Sequence, residues 1–338
     1  MINREIHFAQ RPSPQPNRDC FKLVESSLNE ELDEGQVLVK NLWMSVDPYM
    51  RPRMNDVKSY IPPFQLDHVL EGGAIGVVVQ SRNPKLPVGT HVESMNGWRE
   101  YFISEGKGLA IRDTSHVAPQ DYIGILGMPG ITAYVGTKVL GEAKAGETVY
   151  VSGAGGAVGS LVCQIAKALG CTVVGSAGSD EKVDWLLNTA KIDAAFNYKK
   201  TDNFAGKLAE LCPKGIHLFF DNVGGSQLDG ALLSMRKNGR AMLCGTIEDY
   251  NEAPEKRHGI SNMFKVVTLG LTVKGFVVLD YMAEYHQVFM DDMAKWRDEG
   301  KINWQETIFE GIEQAPKAFL GLFSGANLGK MLVKLADK

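Results

Sequence analysis

The sequence predicts an α/β protein in which a doubly wound parallel sheet follows a separate all-β unit and the C-terminal tail ends in a strand. Three observations predict it. Between Thr148 and Lys182, a β-branched run (Thr148-Val149-Tyr150-Val151-Ser152) leads into Gly153, Gly155, Gly156 and Gly159, then an apolar-periodic segment, then Thr172-Val173-Val174-Gly175. From residue 194 to residue 244, short strand-like runs alternate with helical spacings, the signature of parallel strands joined by right-handed crossovers. Residues 1–120 instead hold short alternating runs and turn signals without a long helical period, which describes a partly barrel-like β unit.

The glycine-rich stretch carries the first functional statement. From Val158 the apolar residues recur at Leu161, Val162, Ile165 and Leu169, the spacing of one buried helix face. The first turn of such a helix has unpaired backbone N–H groups and the positive end of the helix dipole, and glycines let an anionic pyrophosphate approach. This is a dinucleotide cradle. A strict GxGxxG fails at Val158, whereas Gly153-x-x-Gly156-x-x-Gly159 fits a looser spacing of the same turn. The next strand runs out through Ser176-Ala177-Gly178 with no carboxylate to hold a free ribose 2′-hydroxyl. Ser179-Asp180-Glu181-Lys182 offers a hydroxyl and an ammonium suited to a 2′-phosphate, so NADP(H) is favoured over NAD(H). Asp180 and Glu181 also read as first-turn acids of a helix, with Lys182 a solvated charge.

Composition narrows the function classes. At 338 residues there is room for two domains. A net charge of -4 gives no support to nucleic-acid binding by bulk electrostatics. No apolar run is long enough to span a membrane and Met1-Ile2-Asn3-Arg4-Glu5 leads into no signal core, so a cytoplasmic protein is expected. Cys20, Cys163, Cys171, Cys212 and Cys244 are scattered without a CxxC, which suits reduced thiols, and no clustered ligands suggest zinc. His68 and Glu71 form the only local His/carboxylate pair, read as a barrel-edge pair.

In chain order, strands are expected at 36–40, 76–80, 91–93 and 100–103. The loop Met44-Ser45-Val46-Asp47-Pro48-Tyr49-Met50-Arg51 brings together a hydroxyl, a phenol and a guanidinium. Tyr49 and Arg51 there either shape a substrate pocket or belong to a structural loop in which Arg51 pairs with a carboxylate. Helical spacing begins around Tyr122–Gly141, giving a β-barrel-like domain of residues 1–123 with 305–338 and a nucleotide domain of 124–304. Beyond the cradle come a helix with Val183, Leu186, Leu187 and Ala190 on one face, a strand at 194–198, a helix at 203–211 and strands at 217–220, 240–244 and 273–279. Met282, Tyr285, Phe289, Met293 and Trp296 then mark one face of a long helix. Ligands of such sheets bind outside the carboxyl ends of the strands, which puts Tyr198, Asn222 and Gly245–Tyr250 on one rim. A final strand at 331–335 is positioned to return to the first domain.

Six segments resemble one family. Ser45-Val46-Asp47-Pro48-Tyr49-Met50-Arg51, Gly127-Met128-Pro129-Gly130-Ile131-Thr132-Ala133-Tyr134, Gly156-Ala157-Val158-Gly159, Phe196-Asn197-Tyr198-Lys199, Phe220-Asp221-Asn222-Val223-Gly224-Gly225 and Gly325-Ala326-Asn327-Leu328-Gly329-Lys330 are together similar to the zinc-independent medium-chain reductases. The branch resembled holds prostaglandin reductases, leukotriene hydroxydehydrogenases, alkenal double-bond reductases and bacterial curcumin reductases. Met54-Asn55-Asp56, Lys58-Ser59-Tyr60 and Pro63-Phe64 look most like the curcumin reductases, and Lys265-Val266-Val267-Thr268-Leu269 lacks a tyrosine that several plant and mammalian members carry.

The resemblance implies a homodimer of chains, each with a Rossmann domain and a GroES-like barrel completed by the tail. It also implies NADPH-dependent reduction of a carbon–carbon double bond conjugated to a carbonyl. It puts Gly156, Ala157, Val158 and Gly159 at the pyrophosphate and Lys182 and Tyr198 at the 2′-phosphate. Asn222, Cys244, Gly245, Thr246, Ile247, Glu248, Asp249 and Tyr250 would line the cofactor, Phe276, Val277 and Val278 would pass the nicotinamide, and Asn327 would reach it from the tail. The dimer contact would fall near Val273–Val278. Hydride transfer to the β-carbon of an enone leaves charge on the carbonyl oxygen, and a proton donor must hold that oxygen. Tyr250 is the candidate, with a simple cofactor contact or a surface tyrosine as its alternatives. A quinone reductase and a non-catalytic NADPH-binding protein are the competing functions.

Overall fold

The computed structural model describes residues 1–337. The chain forms two compact units, Met1–Gly127 with Glu306–Lys338, and Met128–Gln305.

The first unit begins with an antiparallel hairpin of β1 (Ile2–Phe8) and β2 (Phe21–Ser27). The sequence did not announce this hairpin, because a polar residue sits on its inward face. Asn3 is buried, accepting from the Tyr101 amide at 2.9 Å and donating to the Tyr101 carbonyl at 3.1 Å. β3 (Val37–Ser45), β4 (Ala74–Ser81), β5 (His91–Ser94), β6 (Tyr101–Ser104), β7 (Ala110–Ile111), β14 (Glu306–Glu310) and β15 (Lys330–Lys334) make a seven-stranded sheet. β3 runs five residues past its expected end because Met44 pairs with Ala74 of β4 and with Val333 of β15, and Ser45 pairs with Leu332 of β15. The tail does return: β15 pairs antiparallel with β3 and parallel with β14. One core gathers Ile6, Phe8, Met44, Met50, Trp98, Phe319 and Met331, fed by the one-turn helix α1 (Met50–Arg53) and by α9 (Ala315–Ser324).

The second unit opens with α2 (Met128–Tyr134) and alternates strictly from there. Its parallel strands are β8 (Thr148–Val151), β9 (Thr172–Ala177), β10 (Ala194–Asn197), β11 (Ile216–Asp221), β12 (Met235–Leu243) and β13 (Thr272–Gly275). The intervening helices are α3 (Ala157–Ala168), α4 (Asp180–Asn188), α5 (Phe204–Leu211), α6 (Gly225–Leu232) and α7 (Phe264–Thr268), with α8 (Leu279–Asp298) last. The order β10-β9-β8-β11-β12-β13 reverses direction beside β8, the topological switch point at which doubly wound sheets bind dinucleotides. Buried Val149, Tyr150 and Val151 make β8 apolar on both faces, as a central parallel strand must be.

Two expectations need correction. The strand expected at 273–279 stops at Gly275, because Gly275 pairs with Leu243 and β12 ends there; without a neighbour, Phe276, Val277 and Val278 form a connection and Leu279 starts α8. Leu187 is not on the buried face of α4. Leu186 faces inward while Leu187 is exposed, and Ala190 is buried from a turn beyond the helix end. On α8 the buried face of Phe289, Met293 and Trp296 is as expected.

Candidate functional site

The carboxyl ends of β8, β9, β11 and β12 lie along one edge of the sheet, and the residues just past them build a continuous rim. After β8, Gly153 takes a φ of +59°, a left-handed conformation that favours glycine. A Cβ on Gly159 would lie 2.3 Å from the Gly153 carbonyl oxygen, so the turn closes only with glycine there. Gly156 is the N-cap of α3 and supplies no side-chain cap, which leaves the first-turn amides beginning at Ala157, Val158 and Gly159 without intrahelical acceptors. They present a concentrated positive potential to solvent.

A lysine lies over this turn. A Cβ on Gly155 would meet Lys182 Cδ at 2.9 Å, so the glycine makes room for the lysine stem. Ser179 caps α4 by accepting the Lys182 amide at 3.3 Å, which fixes where the side chain starts. Burial, and then the neighbouring Lys199, hold the Lys182 pKa below its ordinary value. Among the described residues Lys182 has no ion pair. Tyr198 and Lys199 approach from the end of β10: a Cβ on Gly178 would sit 3.1 Å from Tyr198 Oη and 3.4 Å from Lys199 Cε. Burial, then Glu248, raises the Tyr198 phenol. Asp180 does not oppose Lys182, because Asn197 Nδ2 donates to it at 2.8 Å and Lys200 pairs with it on the surface.

The other half of the rim hangs on a buried carboxylate. Asp221, at the end of β11, accepts from Ser152 Oγ at 2.6 Å and from the Val223 and Gly224 amides at 3.0 Å each. Burial raises its pKa, against those hydrogen bonds. Ser152 Oγ in turn accepts the Asn222 amide at 2.9 Å, and Asn222 Nδ2 donates to the Ser152 carbonyl at 2.8 Å. Asn222 is thus locked between β8 and β11. The segment after β12 folds against it, with the Cys244 amide donating to Asp221 O at 2.8 Å and the Glu248 amide to Val223 O at 3.1 Å.

That fold-back shapes a cleft of about 500 Å³ lined by Leu243, Cys244, Gly245, Thr246, Tyr250, Gly275, Phe276, Val277, Asp280 and Tyr281. The Tyr250 hydroxyl closes over Gly245, where a Cβ would stand 3.4 Å from it. Burial pushes the half-buried Cys244 thiol up to about 12, which keeps it protonated at neutral pH. Not every expected residue faces the cleft. Val278 is buried as the N-cap of α8, Glu248 accepts from the Ser226 amide and hydroxyl at 2.9 Å each, and burial followed by Glu248 raises the Asp249 carboxyl. Ile247 is half-buried, its amide reaching Asn222 O at 3.4 Å.

Three expected residues lie in the first unit. Tyr49 is half-buried against its core, and burial, then Asp47, raises its phenol. Arg51 is buried at 3% exposure, its guanidinium donating to Asn55 Oδ1 at 2.9 Å and to the Pro14 carbonyl at 2.5 Å. Those bonds make it a pin for the loop. Asn327 is also buried, donating to the Gly329 carbonyl at 2.8 Å and closing its own turn. His68 and Glu71 do not pair: Arg53 takes Glu71 at 2.9 Å, and His68 Nδ1 lies 2.8 Å from the Leu66 carbonyl oxygen. The sequence reading missed Lys199, Ser152 and Asp221 as members of the rim. Lys199 stood inside a quoted motif, but only the third dimension puts it beside Lys182.

Residues 4–111 match a family described as the N-terminal domain of oxidoreductase, and residues 157–295 one described as zinc-binding dehydrogenase. The chain is 38% identical to the NADPH-dependent curcumin reductase of Escherichia coli, over 99% of this chain and 97% of that protein. It belongs to the zinc-independent medium-chain reductases. Another family member, the NADP(+)-dependent 2-alkenal reductase of Nicotiana tabacum, is 39% identical over 99% of this chain and 98% of its own length. The crystal structure of CurA from Vibrio vulnificus in complex with NADPH superposes with a TM-score of 0.93 at 37% identity, covering 99% of this chain and 100% of that one. As in that family, a parallel Rossmann sheet is accompanied by a GroES-like sheet domain. Although one matched description names zinc, the described residues hold no group of three or more His, Cys, Asp or Glu that could bind a metal.

Proposed function

We propose that this reductase uses NADPH to saturate the carbon–carbon double bond of α,β-unsaturated aldehydes and ketones. The observation that carries the cofactor assignment is the desolvated Lys182, without an ion pair among the described residues, lying over a glycine-lined helix N-terminus that has no side-chain cap. A cradle that a single Cβ would fill fits a pyrophosphate, and Ser179, Lys182, Tyr198 and Lys199 fit a 2′-phosphate dianion. The names of its relatives, a curcumin reductase and a 2-alkenal reductase, support the substrate class.

When bound, the reduced nicotinamide supplies a hydride for the β-carbon of the conjugated alkene. The chain's own residues then have three tasks. The Gly156–Gly159 turn and Lys182 hold the phosphates, while Asn222, held rigid by Ser152 and Asp221, bounds the floor of the rim. Phe276 and Val277 give the cleft an apolar side that excludes water. Tyr250, whose hydroxyl lies over Gly245 at the cleft, is the proposed donor to an oxygen on which charge develops. Within the first unit, Arg51 and Asn327 fix the loop and tail that carry the family motifs, and Tyr49 stands in that same loop.

A screen of conjugated enals, enones and quinones following NADPH absorbance tests this function. Enone-dependent oxidation supports it; oxidation with quinones alone, or with neither class, contradicts it. Tyr250→Phe is expected to lower kcat by about 10²–10³ while NADPH affinity stays near wild type, and wild-type turnover would remove Tyr250 from the chemistry.

We further propose a cytoplasmic homodimer. No helix among the described residues is long and apolar enough to cross a membrane. β13 is an edge strand with all four residues exposed, and Phe264 and Val267 nearby are 74% and 73% exposed. An unpaired ladder beside bare apolar side chains invites a second copy. Sedimentation of Val273→Lys as a monomer, with wild type as a dimer, supports that assembly.

A further inference from the structure

The amino ends of the parallel strands, at the edge of the sheet opposite the glycine turn, border a second cleft of about 480 Å³. Its charged lining is Lys144, Glu147, His217, Arg236, Lys237 and Arg240. Four of these are cations and one is a carboxylate, in a chain whose net charge is -4. The concentration of positive charge therefore runs against the background of the molecule.

Glu147 does not neutralise the cluster. It pairs with Arg240 Nη2 at 2.5 Å and also accepts the Lys144 backbone amide at 3.0 Å. Arg240 Nε is buried and has no acceptor among the described residues. Lys237 has no ion pair among them either. Arg236 lies with Nη1 2.5 Å from His217 Nε2, while the Thr148 amide donates to His217 Nδ1 at 3.0 Å. A neutral imidazole accepts at only one nitrogen. The backbone bond at Nδ1 puts the ring proton on Nε2, so a donor faces the Arg236 guanidinium. The cleft thus holds one guanidinium with a buried donor unmet among the described residues, a second, exposed guanidinium at Arg236, and a lysine without an ion pair among those residues.

We propose that this cleft binds a doubly charged phosphate group. The planar fork of Arg236 suits two phosphate oxygens at once, Lys237 adds a point charge, and the Arg240 guanidinium lines the same cleft. This site goes beyond the proposed reductase activity and does not depend on it. Burial, and then Arg236, hold the His217 pKa below its ordinary value; an anion bound between the two side chains would raise it.

The test is calorimetric titration of the full chain at about 0.15 M salt, with one equivalent of NADP⁺ so that the opposite rim is filled without surplus 2′-phosphate to compete. One arm uses inorganic phosphate and the other glycerol 3-phosphate. Saturable binding with a Kd below about 1 mM is expected, together with an upward shift of the His217 titration followed by its ring proton resonances. The Arg236→Gln/Lys237→Gln double variant, changed only at exposed positions, is expected to raise that Kd at least about tenfold with NADPH binding unchanged. Binding in both arms supports recognition of the phosphate itself, and binding of the ester alone supports a carbon-bearing phosphate. Absence of saturable binding to wild type, or equal binding by the double variant, overturns the proposal.

Discussion

Lys330 and Lys182 both lose water on folding, yet their surroundings are opposite. Lys330 is 1% exposed in the first unit, where its ammonium meets Asp47 Oδ1 at 3.1 Å, the Val46 carbonyl at 3.1 Å and the Met331 carbonyl at 2.9 Å. All three of its donors are used, and they tie the tail strand β15 to the loop before Tyr49. Lys182 in the second unit is partly desolvated, beside Lys199 rather than opposite a carboxylate. A cation with every donor satisfied by the protein is a structural element. One that is desolvated, near a like charge and without a counter-ion among the described residues has the surroundings expected of an anion site.

The largest expected consequence of that difference lies in stability. Lys330→Met leaves the Asp47 carboxylate buried and unpaired, which costs about 3–5 kcal/mol, read as a lower urea midpoint; adding Asp47→Asn is expected to recover part of the loss. A midpoint unchanged in the single variant would break the comparison. Lys182→Ala is expected to act on binding instead. Losing a charge-assisted contact of about 1.5–3 kcal/mol raises the NADPH dissociation constant roughly tenfold or more, with NADH affinity unaltered.

The same variant sharpens the comparison through pH. Because the folded-state pKa of Lys182 lies below the ordinary value of about 10.4, the folded protein holds that proton less well than the unfolded chain. Its contribution to stability is therefore fully present above pH 10.4 or so and is lost as pH falls through the depressed value. Lys182→Ala should flatten this alkaline rise in denaturation midpoint measured without nucleotide. The smallest effect is reserved for Lys200→Ala. Its pair with Asp180 is exposed and screened by water and salt, so neither midpoint nor NADPH affinity should move appreciably.

How legible these features were depends on whether they were local. The strand, glycine turn and helix from Thr148 to Ala168 announced themselves because periodicity and turn chemistry act within a few residues. The hairpin of β1 and β2 was hidden by Asn3, whose burial makes sense only once Tyr101 is known to be its partner. The overextension of the strand after Thr272 has the same origin, since only the end of β12 stops the ladder at Gly275. At the site, Lys182 was legible from the missing carboxylate after β9, a local signal. Lys199 was not, being brought to Gly178 by the parallel pairing of β9 and β10. For Arg51 the sequence left a pocket role and a structural loop open, and its loop partners, Pro14 and Asn55 rather than a carboxylate, are visible only in the fold.

The central claim is that the rim past β8 and β9 is built for a nucleotide bearing a 2′-phosphate. Equilibrium titration of the wild-type chain with NADPH and, separately, NADH tests it most directly, using protein fluorescence. NADPH is expected to bind at least about tenfold more tightly, the margin of one charge-assisted phosphate contact. Equal affinities, or tighter binding of NADH, would contradict it.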